Sequence, residues 1–341
     1  MSFRTSLANV VYSVAVLRRD VLGLLAPREW KRSRLQEVNI EPSNLCNANC
    51  VFCGYQFQER THDQMPIDLG LSIIAEAKRA EVVRLGLTPI VGEPLVHRKL
   101  EHFIQAASSP PRQLRVGVTT NGILLSLPRY RSLVDAGLSE LNISMSFPDE
   151  AEYQRLYRSD RLKAVVANIG AIAEVYQAGE CQVVIGVRTG RGRGWDNHPL
   201  FHRVRRLGWT VERNRYFDDW SGMTSAMMQA EGLTVRSNRP KWLPCSMTSS
   251  GPHFLSDGQA TACGCRDLDG KSELALQTSS LLTDMKAVYE KGAVDELRER
   301  FRQNRPPEIC SSCRHYGPTY EGETLRLRAR QLVADVVATF R

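Results

Sequence analysis

The 341-residue sequence has no long apolar run of the kind that crosses a membrane. Its apolar segment near the start, residues 7–17, stops at Arg18, whereas a transmembrane helix needs about 20 predominantly apolar residues. No small-residue cleavage site follows, so we do not expect a secretory leader. We expect residues 1–34 to form an amphipathic helical extension that packs on the protein, with binding to a membrane surface as the alternative.

Blocks of basic residues are also missing, although the formal net charge is +8. The arginines are spread along the chain, and no nucleic-acid recognition motif or basic–aromatic stripe accompanies them. We therefore expect no nucleic-acid partner. Internal repeats of solenoid length and low-complexity segments are absent too, which argues against a repeat architecture.

What the sequence does have is nine cysteines, a high number for a cytosolic chain. Most fall into close groups: C-x3-C-x2-C begins at Cys46, C-x-C at Cys263 and C-x2-C at Cys310. An odd count in such groups favours metal ligation over a framework of disulfides. We therefore expect the protein to work in a reducing compartment, the cytoplasm.

Short strand-like runs alternate with helical patterns over the first two thirds of the chain. Between them, stretches such as residues 69–82 carry apolar residues at three- and four-residue intervals, which is typical of helices. Six such repeats predict an α/β fold with a parallel sheet, whose functional groups lie on the loops after the strands. The predicted strands cover residues 35–41, 82–87, 114–120, 139–145, 181–188 and 209–217.

The pattern changes after Met223. Residues 224–240 suggest a linker, and HFLSDGQATACGC at residues 253–265 predicts a hairpin that turns at Asp257 and Gly258. We therefore divide the chain into a helical extension, an α/β core and a cysteine-rich domain with C-terminal helices. Their expected bounds are 1–34, 35–223 and 224–341.

The first cysteine group supplies only three ligands, Cys46, Cys50 and Cys53. A structural zinc site or a closed iron–sulfur cluster takes four. Three thiols therefore indicate a zinc knuckle, an incomplete ferredoxin run or a cluster with one open position. The spacing alone leaves these alternatives open.

Two further motifs follow predicted strands: TPIVGEPL at residues 88–95 and TTNG at residues 119–122. With the cysteine triplet they resemble the radical S-adenosylmethionine (radical SAM) enzymes over roughly residues 35–220. Val91 stands where that family's GGEP motif has its first glycine. The resemblance implies a partial (βα)6 TIM-type barrel.

The resemblance also implies the cofactors and their ligands. Cys46, Cys50 and Cys53 would hold three irons of a [4Fe–4S] cluster, and the fourth iron would bind SAM. Together the two cofactors supply a 5′-deoxyadenosyl radical, and the protein supplies orientation and exclusion of solvent. The residues matched to SAM binding are Phe52, Gly92, Glu93, Asn121, Ser144 and Arg188.

The C-terminal cysteines resemble a twitch domain, the short form of the SPASM domain. By that resemblance an auxiliary [4Fe–4S] cluster is held by Cys245, Cys263, Cys310 and Cys313. A four-cysteine zinc site is the alternative that spacing alone leaves open. Of the remaining thiols, Cys181 is expected to be a buried apolar residue. Cys265 is either a spare thiol, a replacement ligand or a hydrogen-atom donor.

Radical SAM enzymes with such a domain include sugar epimerases, aminocyclitol dehydrogenases and peptide maturases. We predict an epimerase that acts on a carbohydrate or aminocyclitol unit of a natural product, as in antibiotic biosynthesis. Cys265 would return hydrogen to the inverted carbon. Asp218 and Asp219, beside Trp220, would bind sugar hydroxyls, although a solvated loop turn explains them equally.

Three other functions remain open: an alcohol dehydrogenase that passes an electron to the auxiliary cluster, a peptide or protein maturase, and a non-catalytic iron–sulfur protein. The last has no use for Glu93 and Ser144. For the enzymes we expect a reducing partner such as flavodoxin or ferredoxin and a small-molecule or glycoside substrate.

Overall fold

The computed structural model describes residues 35–88, 90–319 and 325–339. The helical extension predicted for residues 1–34 lies outside the described residues. Within the described ranges, no helix has both the length and the apolarity that a membrane crossing requires.

Six parallel strands alternate with helices and form the first part of the fold, which confirms the predicted α/β class. They pair in chain order, and each lies within three residues of its predicted bounds. The strands are β1 (Glu37–Ile40), β2 (Arg84–Leu87), β3 (Arg115–Thr120), β4 (Glu140–Met145), β5 (Gln182–Arg188) and β6 (Thr210–Asn214). The helices between them are α1 (Ile67–Arg79), α2 (Leu100–Ser108), α3 (Leu127–Asp135), α4 (Glu150–Tyr157), α5 (Leu162–Val175) and α6 (Pro199–Arg206).

Alternation along the strands separates the apolar core from the inside of the partial barrel. In β4, Leu141 and Ile143 are buried in the apolar core, whereas Ser144 faces a cavity at the end of the strand. Successive side chains of a strand point to opposite faces. Polar residues near the strand ends therefore converge on one space.

The C-terminal part continues the same sheet. Strands β9 (His253–Phe254), β10 (Ala260–Thr261) and β11 (Ala275–Leu276) follow β7 (Tyr216–Phe217) and β8 (Thr234–Val235) in the chain. The predicted hairpin is formed by β9 and β10, and β9 pairs parallel with β1. The sheet order is therefore β11-β10-β9-β1-β2-β3-β4-β5-β6.

Two expectations for this region are wrong. The strand predicted for residues 209–217 is split into β6 and β7, and β7 pairs with β8 in a separate small sheet. The linker predicted for residues 224–240 contains α7 (Ser225–Ala230) and β8, because Met228 and Leu233 are buried. The other C-terminal helices are α8 (Met247–Ser250), α9 (Thr278–Lys291), α10 (Ala293–Arg302), α11 (Glu308–Ser311) and α12 (Leu325–Thr339).

The junction between β1 and β9 is closely packed. Gly251 has φ +154°, and a Cβ atom there would lie 1.6 Å from the carbonyl oxygen of Glu37. Glu41, at the end of β1, accepts a hydrogen bond from the backbone of Ser256 and pairs with Arg60 at 2.7 Å. The hairpin is therefore fixed to the barrel by both backbone and side-chain contacts.

Candidate active site

A cavity of about 280 Å³ lies at the carboxyl ends of the barrel strands. It is lined by residues from loops that are far apart in the chain, which places it where a parallel barrel carries its functional groups. The predicted residues that line it are Cys46, Cys50, Phe52, Cys53, Gly92, Glu93, Asn121, Ser144, Arg188, Asp218 and Cys265.

The loop after β1 brings the cysteine triplet to one wall of the cavity. Cys53 donates its backbone N–H to the Cys50 carbonyl at 3.1 Å, which forms a tight turn, and Val51 donates to Leu156 at the end of α4. The three cysteines are free thiols. Burial raises the pKa of Cys46 to about 12 and the pKa of Cys50 well above its usual value. Such buried thiols ionise readily only when a cation or metal compensates their charge.

Glu93 lies on the opposite loop, after β2, and is almost completely buried. Its Oε1 accepts hydrogen bonds from Thr120 Oγ1 at 2.6 Å and from the Leu95 N–H at 3.1 Å. Its Oε2 accepts from the Asn121 N–H at 2.8 Å. Burial raises the pKa of Glu93 to about 7. The carboxylate is thus held by three hydrogen bonds, and one of its roughly four lone-pair sites remains for a ligand in the cavity.

Gly92 allows the loops after β1 and β2 to meet. It has φ +125°, and a Cβ atom would lie 2.2 Å from the Ser43 carbonyl oxygen. Only glycine satisfies both the backbone angle and this approach. Glu93 then donates its N–H to the Leu45 carbonyl at 2.8 Å, next to Cys46.

Polar residues from the third, fourth and fifth strands complete the wall. Asn121 donates to Asn47 Oδ1 at 2.7 Å and reaches Cys46 Sγ at 3.9 Å. Arg188 donates to Ser144 Oγ at 2.9 Å, and its guanidinium carbon lies 5.0 Å from the centre of the Phe52 ring. The predicted residues Phe52, Ser144 and Arg188 therefore form one contact group.

Asp218 and Trp220 border the cavity from the end of β7. Trp220 and the next residue, Ser221, have positive φ angles of 52° and 58°, a strained conformation for residues other than glycine. The turn places the Trp220 indole so that its N–H donates to the Phe52 carbonyl at 3.0 Å. Strain of this kind persists where the surrounding contacts fix a residue in place.

Asp219 does not line the cavity. It is 1% exposed, and its Oδ2 accepts from Ser225 Oγ at 2.6 Å and pairs with Arg314 at 2.5 Å. Its contacts join α7 to the loop after Cys313. Of this pair, Asp218 is therefore the aspartate that borders the cavity.

A second, smaller cavity lies between the hairpin and the C-terminal helices. It is bordered by five thiols, which are free: Cys245, Cys263, Cys265, Cys310 and Cys313. All of them except Cys265 are the predicted auxiliary ligands. Cys265 and His315 border this cavity and the larger one as well. Cys265 and His315 therefore form part of the wall between the two cavities.

Several residues of the site were not predicted from sequence, and three of them make polar contacts. Tyr157 is buried and lines the larger cavity, and its hydroxyl oxygen lies 3.2 Å from Ser144 Oγ. His315 borders both cavities, and Arg266 borders the smaller one. A signal existed for Arg266 and His315, since each lies within two residues of a grouped cysteine. Tyr157 had none, because it sits in an ordinary amphipathic helix.

Among the described residues, no three or more His, Cys, Asp or Glu side chains are arranged to hold a single metal ion. The triplet thiols instead border the cavity of about 280 Å³, whereas the space between the other five thiols measures about 10 Å³. A four-iron cluster is larger than one ion, so its thiolate ligands stand farther apart, on the walls of a cavity.

Comparisons with known proteins agree with this site. Residues 40–191 match the family described as the Radical SAM superfamily. A GTP 3′,8-cyclase from Mycolicibacterium smegmatis is 34% identical over 140 residues, which cover 40% of this chain and 38% of the relative. A GTP 3′,8-cyclase from Chlorobaculum tepidum is 29% identical over 169 residues, 50% of this chain and 49% of the relative. Each match therefore spans less than half of the curated relative's length.

Solved structures share the fold at low sequence identity. Streptococcus suis SuiB bound to precursor peptide SuiA has a TM-score of 0.58 at 15% identity, over 91% of this chain and 75% of that chain. BtrN in complex with AdoMet and 2-DOIA has a TM-score of 0.57 at 12% identity, over 85% and 97%. Native anSMEcpe with bound AdoMet has a TM-score of 0.56 at 12% identity, over 89% and 97%.

The family implies one [4Fe–4S] cluster and SAM, and the larger cavity fits both. Cys46, Cys50 and Cys53 offer three soft thiolate ligands on one wall, the donor type that iron–sulfur clusters require. Glu93 and Arg188 on the other walls offer the charges that complement an amino acid's ammonium and carboxylate groups. The match of residues 40–191 to the Radical SAM superfamily, the partial barrel and the residues of this cavity therefore agree with one another.

Proposed function

We propose that the protein is a radical SAM epimerase that inverts a carbinol centre in a carbohydrate or aminocyclitol unit of a natural product. The observation that carries this proposal is the position of Cys265, whose thiol borders both the larger cavity and the smaller thiol-lined cavity. A hydrogen-atom donor must face the substrate, and this cysteine borders the cavity in which the substrate would bind without being one of the triplet.

When bound, the cluster and SAM supply a carbon radical that removes hydrogen from an unactivated C–H bond. The chain's own residues hold these groups. Cys46, Cys50 and Cys53 would ligate the irons, while Glu93 would accept from the SAM ammonium and Arg188 would face its carboxylate. Phe52 and Trp220 border the same cavity and contribute apolar surface to it.

Cys265 then completes the inversion. The substrate has lost a hydrogen atom from one face, and the Cys265 S–H bond breaks as a new C–H bond forms on the other face. The resulting sulfur radical takes up one electron and one proton to restore the thiol. A one-electron donor such as flavodoxin or ferredoxin supplies that electron.

The smaller cavity is proposed as the site of an auxiliary [4Fe–4S] cluster. A closed cluster takes four thiolates, which would come from Cys245, Cys263, Cys310 and Cys313. Cys265 would then remain a free thiol. A cluster there would provide an electron carrier beside the donor thiol.

The substrate class rests on Asp218 and Trp220. A carboxylate accepts hydrogen bonds from hydroxyl groups, and an indole face packs on the C–H surface of a sugar ring. Both residues border the larger cavity, as Cys265 does. The curated relatives are named for a reaction of GTP, but they match over less than half their length.

An alcohol dehydrogenase is the second candidate. The same closeness of the two cavities favours it, because an electron leaving the substrate would have a short path to an auxiliary cluster. The two candidates differ in what Cys265 does. The epimerase needs its hydrogen atom, whereas the dehydrogenase does not.

Cys265→Ala, assayed in heavy water with reconstituted protein and candidate glycosides, tests the proposal. We expect the parent to place solvent deuterium at the inverted carbon. The variant should keep its iron and still form 5′-deoxyadenosine, but give no inverted product. Cys181→Ala is the matched control, because Cys181 is a buried thiol that borders neither cavity.

Two other outcomes of this experiment would contradict the donor role of Cys265. A carbonyl product, unchanged in Cys265→Ala, would replace the epimerase by the dehydrogenase. Loss of about half the iron in this variant would make Cys265 a cluster ligand. Either result would end the donor role.

A further inference from the structure

Arg266 is the residue after Cys265, and its guanidinium lies between the two cavities. Only 2% of its side chain is exposed. It borders the smaller cavity, and the guanidinium carbon lies 5.7 Å from the ring centre of Trp220, which borders the larger one. Such burial of a charged group is costly unless the charge is paired and hydrogen-bonded.

The pairing of Arg266 is divided between the two sites. Its Nε donates to Cys313 Sγ at 3.1 Å, on the side of the smaller cavity. One terminal nitrogen forms an ion pair with Asp218 Oδ1, on the wall of the larger cavity, and the other donates to the Cys265 carbonyl. A planar guanidinium with donors in a fixed fork makes these three contacts at once, whereas a lysine ammonium is a point charge without such a fork.

We propose that Arg266 is a positioning residue that couples the substrate cavity to the auxiliary cluster site. The inference rests on the proposed function, because it needs a cluster at Cys313. One guanidinium fixes the Asp218 carboxylate toward the substrate and also donates to a cluster thiolate. A change in the charge of Asp218 therefore alters the hydrogen bond that Arg266 donates to Cys313.

The coupling has a definite sign. Hydrogen bonds to the sulfurs of an iron–sulfur cluster and nearby positive charge stabilise its reduced form, so they raise the reduction potential. Loss of Arg266 should lower the potential of the auxiliary cluster. Loss of the Asp218 charge should raise it, because Arg266 then lacks its counter-charge and its donation to Cys313 strengthens.

The test uses the full chain with Cys46, Cys50 and Cys53 changed to alanine, so that the auxiliary cluster is the one observed. Redox titration followed by EPR gives its midpoint potential. We compare Arg266→Gln, Asp218→Asn and the double variant. Arg60→Gln is the matched control, since Arg60 is also buried and ion-paired, contacts Leu268 and Ser256 beside the hairpin, and touches no thiol.

We expect Arg266→Gln to lower the potential, Asp218→Asn to raise it and Arg60→Gln to leave it near the parent value. In the double variant, the shift due to Asp218→Asn should fall to less than half, because its route through Arg266 is gone. Arg266→Lys should restore the charge but recover only part of this coupling. If Arg266→Gln fails to assemble the cluster, the same cycle is run on Arg266→Lys.

Two results would overturn the inference in distinguishable ways. If the Asp218→Asn shift is the same with and without Arg266, the carboxylate acts on the cluster directly and Arg266 does not couple the sites. If the protein without the cysteine triplet holds no iron, the auxiliary cluster itself is absent. That second result would remove this part of the proposed function together with the inference.

Discussion

At the scale of single residues, Glu93 shows how the fold prepares a charge for a ligand that it must bind. Three donors hold the carboxylate, two from backbone N–H groups and one from Thr120. These hydrogen bonds lower its pKa, but burial outweighs them and raises it to about 7. The protein without SAM therefore bears an electrostatic cost that a bound ammonium group would relieve.

This cost should be visible as a pH dependence of stability. The native Glu93 keeps its proton to higher pH than the unfolded chain does, so stability falls as the pH rises from about 4.5 to about 7. The loss attributable to this group is about 3 kcal/mol. Glu93→Gln should remove it, which urea unfolding of the SAM-free proteins at about pH 5 and about pH 7.5 measures. The same pH dependence in parent and variant would show that Glu93 has no raised pKa.

Site residues that stand in motifs were predictable from the sequence. Residues whose orientation depends on tertiary structure were not. The cysteine triplet, Glu93 and Cys265 stand in recognisable spacings, and the structure brings them to one cavity. Asp219 was predicted to share the substrate-binding role of Asp218 because the two residues are adjacent in sequence. Yet the tight turn sends one side chain to the cavity and the other to Arg314. Neighbours in sequence share a loop, but the backbone angles decide what each of them faces.

At the scale of elements, the contact between β1 and the segment before β9 is the least tolerant of change. A side chain at Gly251 would overlap the Glu37 carbonyl, and neither backbone can move without breaking the strand pairing that follows. The close packing of Gly251 against Glu37 therefore stabilises the attachment of the hairpin to the barrel.

Gly251→Ala should therefore destabilise the protein by about 2–5 kcal/mol, from strain and overpacking together. Gly208→Ala separates the two causes. Gly208 also has a positive φ, +84°, but nothing lies within 4 Å of an added Cβ atom, so its cost should be about 1–2 kcal/mol. Urea unfolding of both variants gives the comparison, and equal costs would refute the steric explanation.

Strand positions in the barrel followed from hydrophobic alternation, but strand partners did not. The barrel strands were located as short strand-like runs that alternate with helical patterns, although β6, with the sequence TVERN, holds one apolar residue. The pairing of β9 with β1 joins residues more than two hundred positions apart. Local periodicity carries no information about such a partner, and the buried residues of α7 and β8 are too few to distinguish these elements from a linker.

At the scale of the whole molecule, the two cavities predict two separable iron centres. Reconstituted protein should hold about eight irons, and the variant without Cys46, Cys50 and Cys53 about four. That variant should form no 5′-deoxyadenosine. Anaerobic iron analysis and product assay measure both quantities, and Cys181→Ala should retain the full iron content. Formation of 5′-deoxyadenosine by the triple variant would refute the assignment of the triplet.

The pairing of β9 with β1 also has a consequence for how the protein avoids self-association. Without the hairpin, β1 would be the edge of an open sheet, with a row of unpaired backbone groups available to another chain. The hairpin covers that edge, while the opposite edge, β6, carries Glu212 and Arg213, charges that discourage pairing with a second sheet. The hairpin, which bears Cys263 and Cys265, therefore also protects the barrel from aggregation.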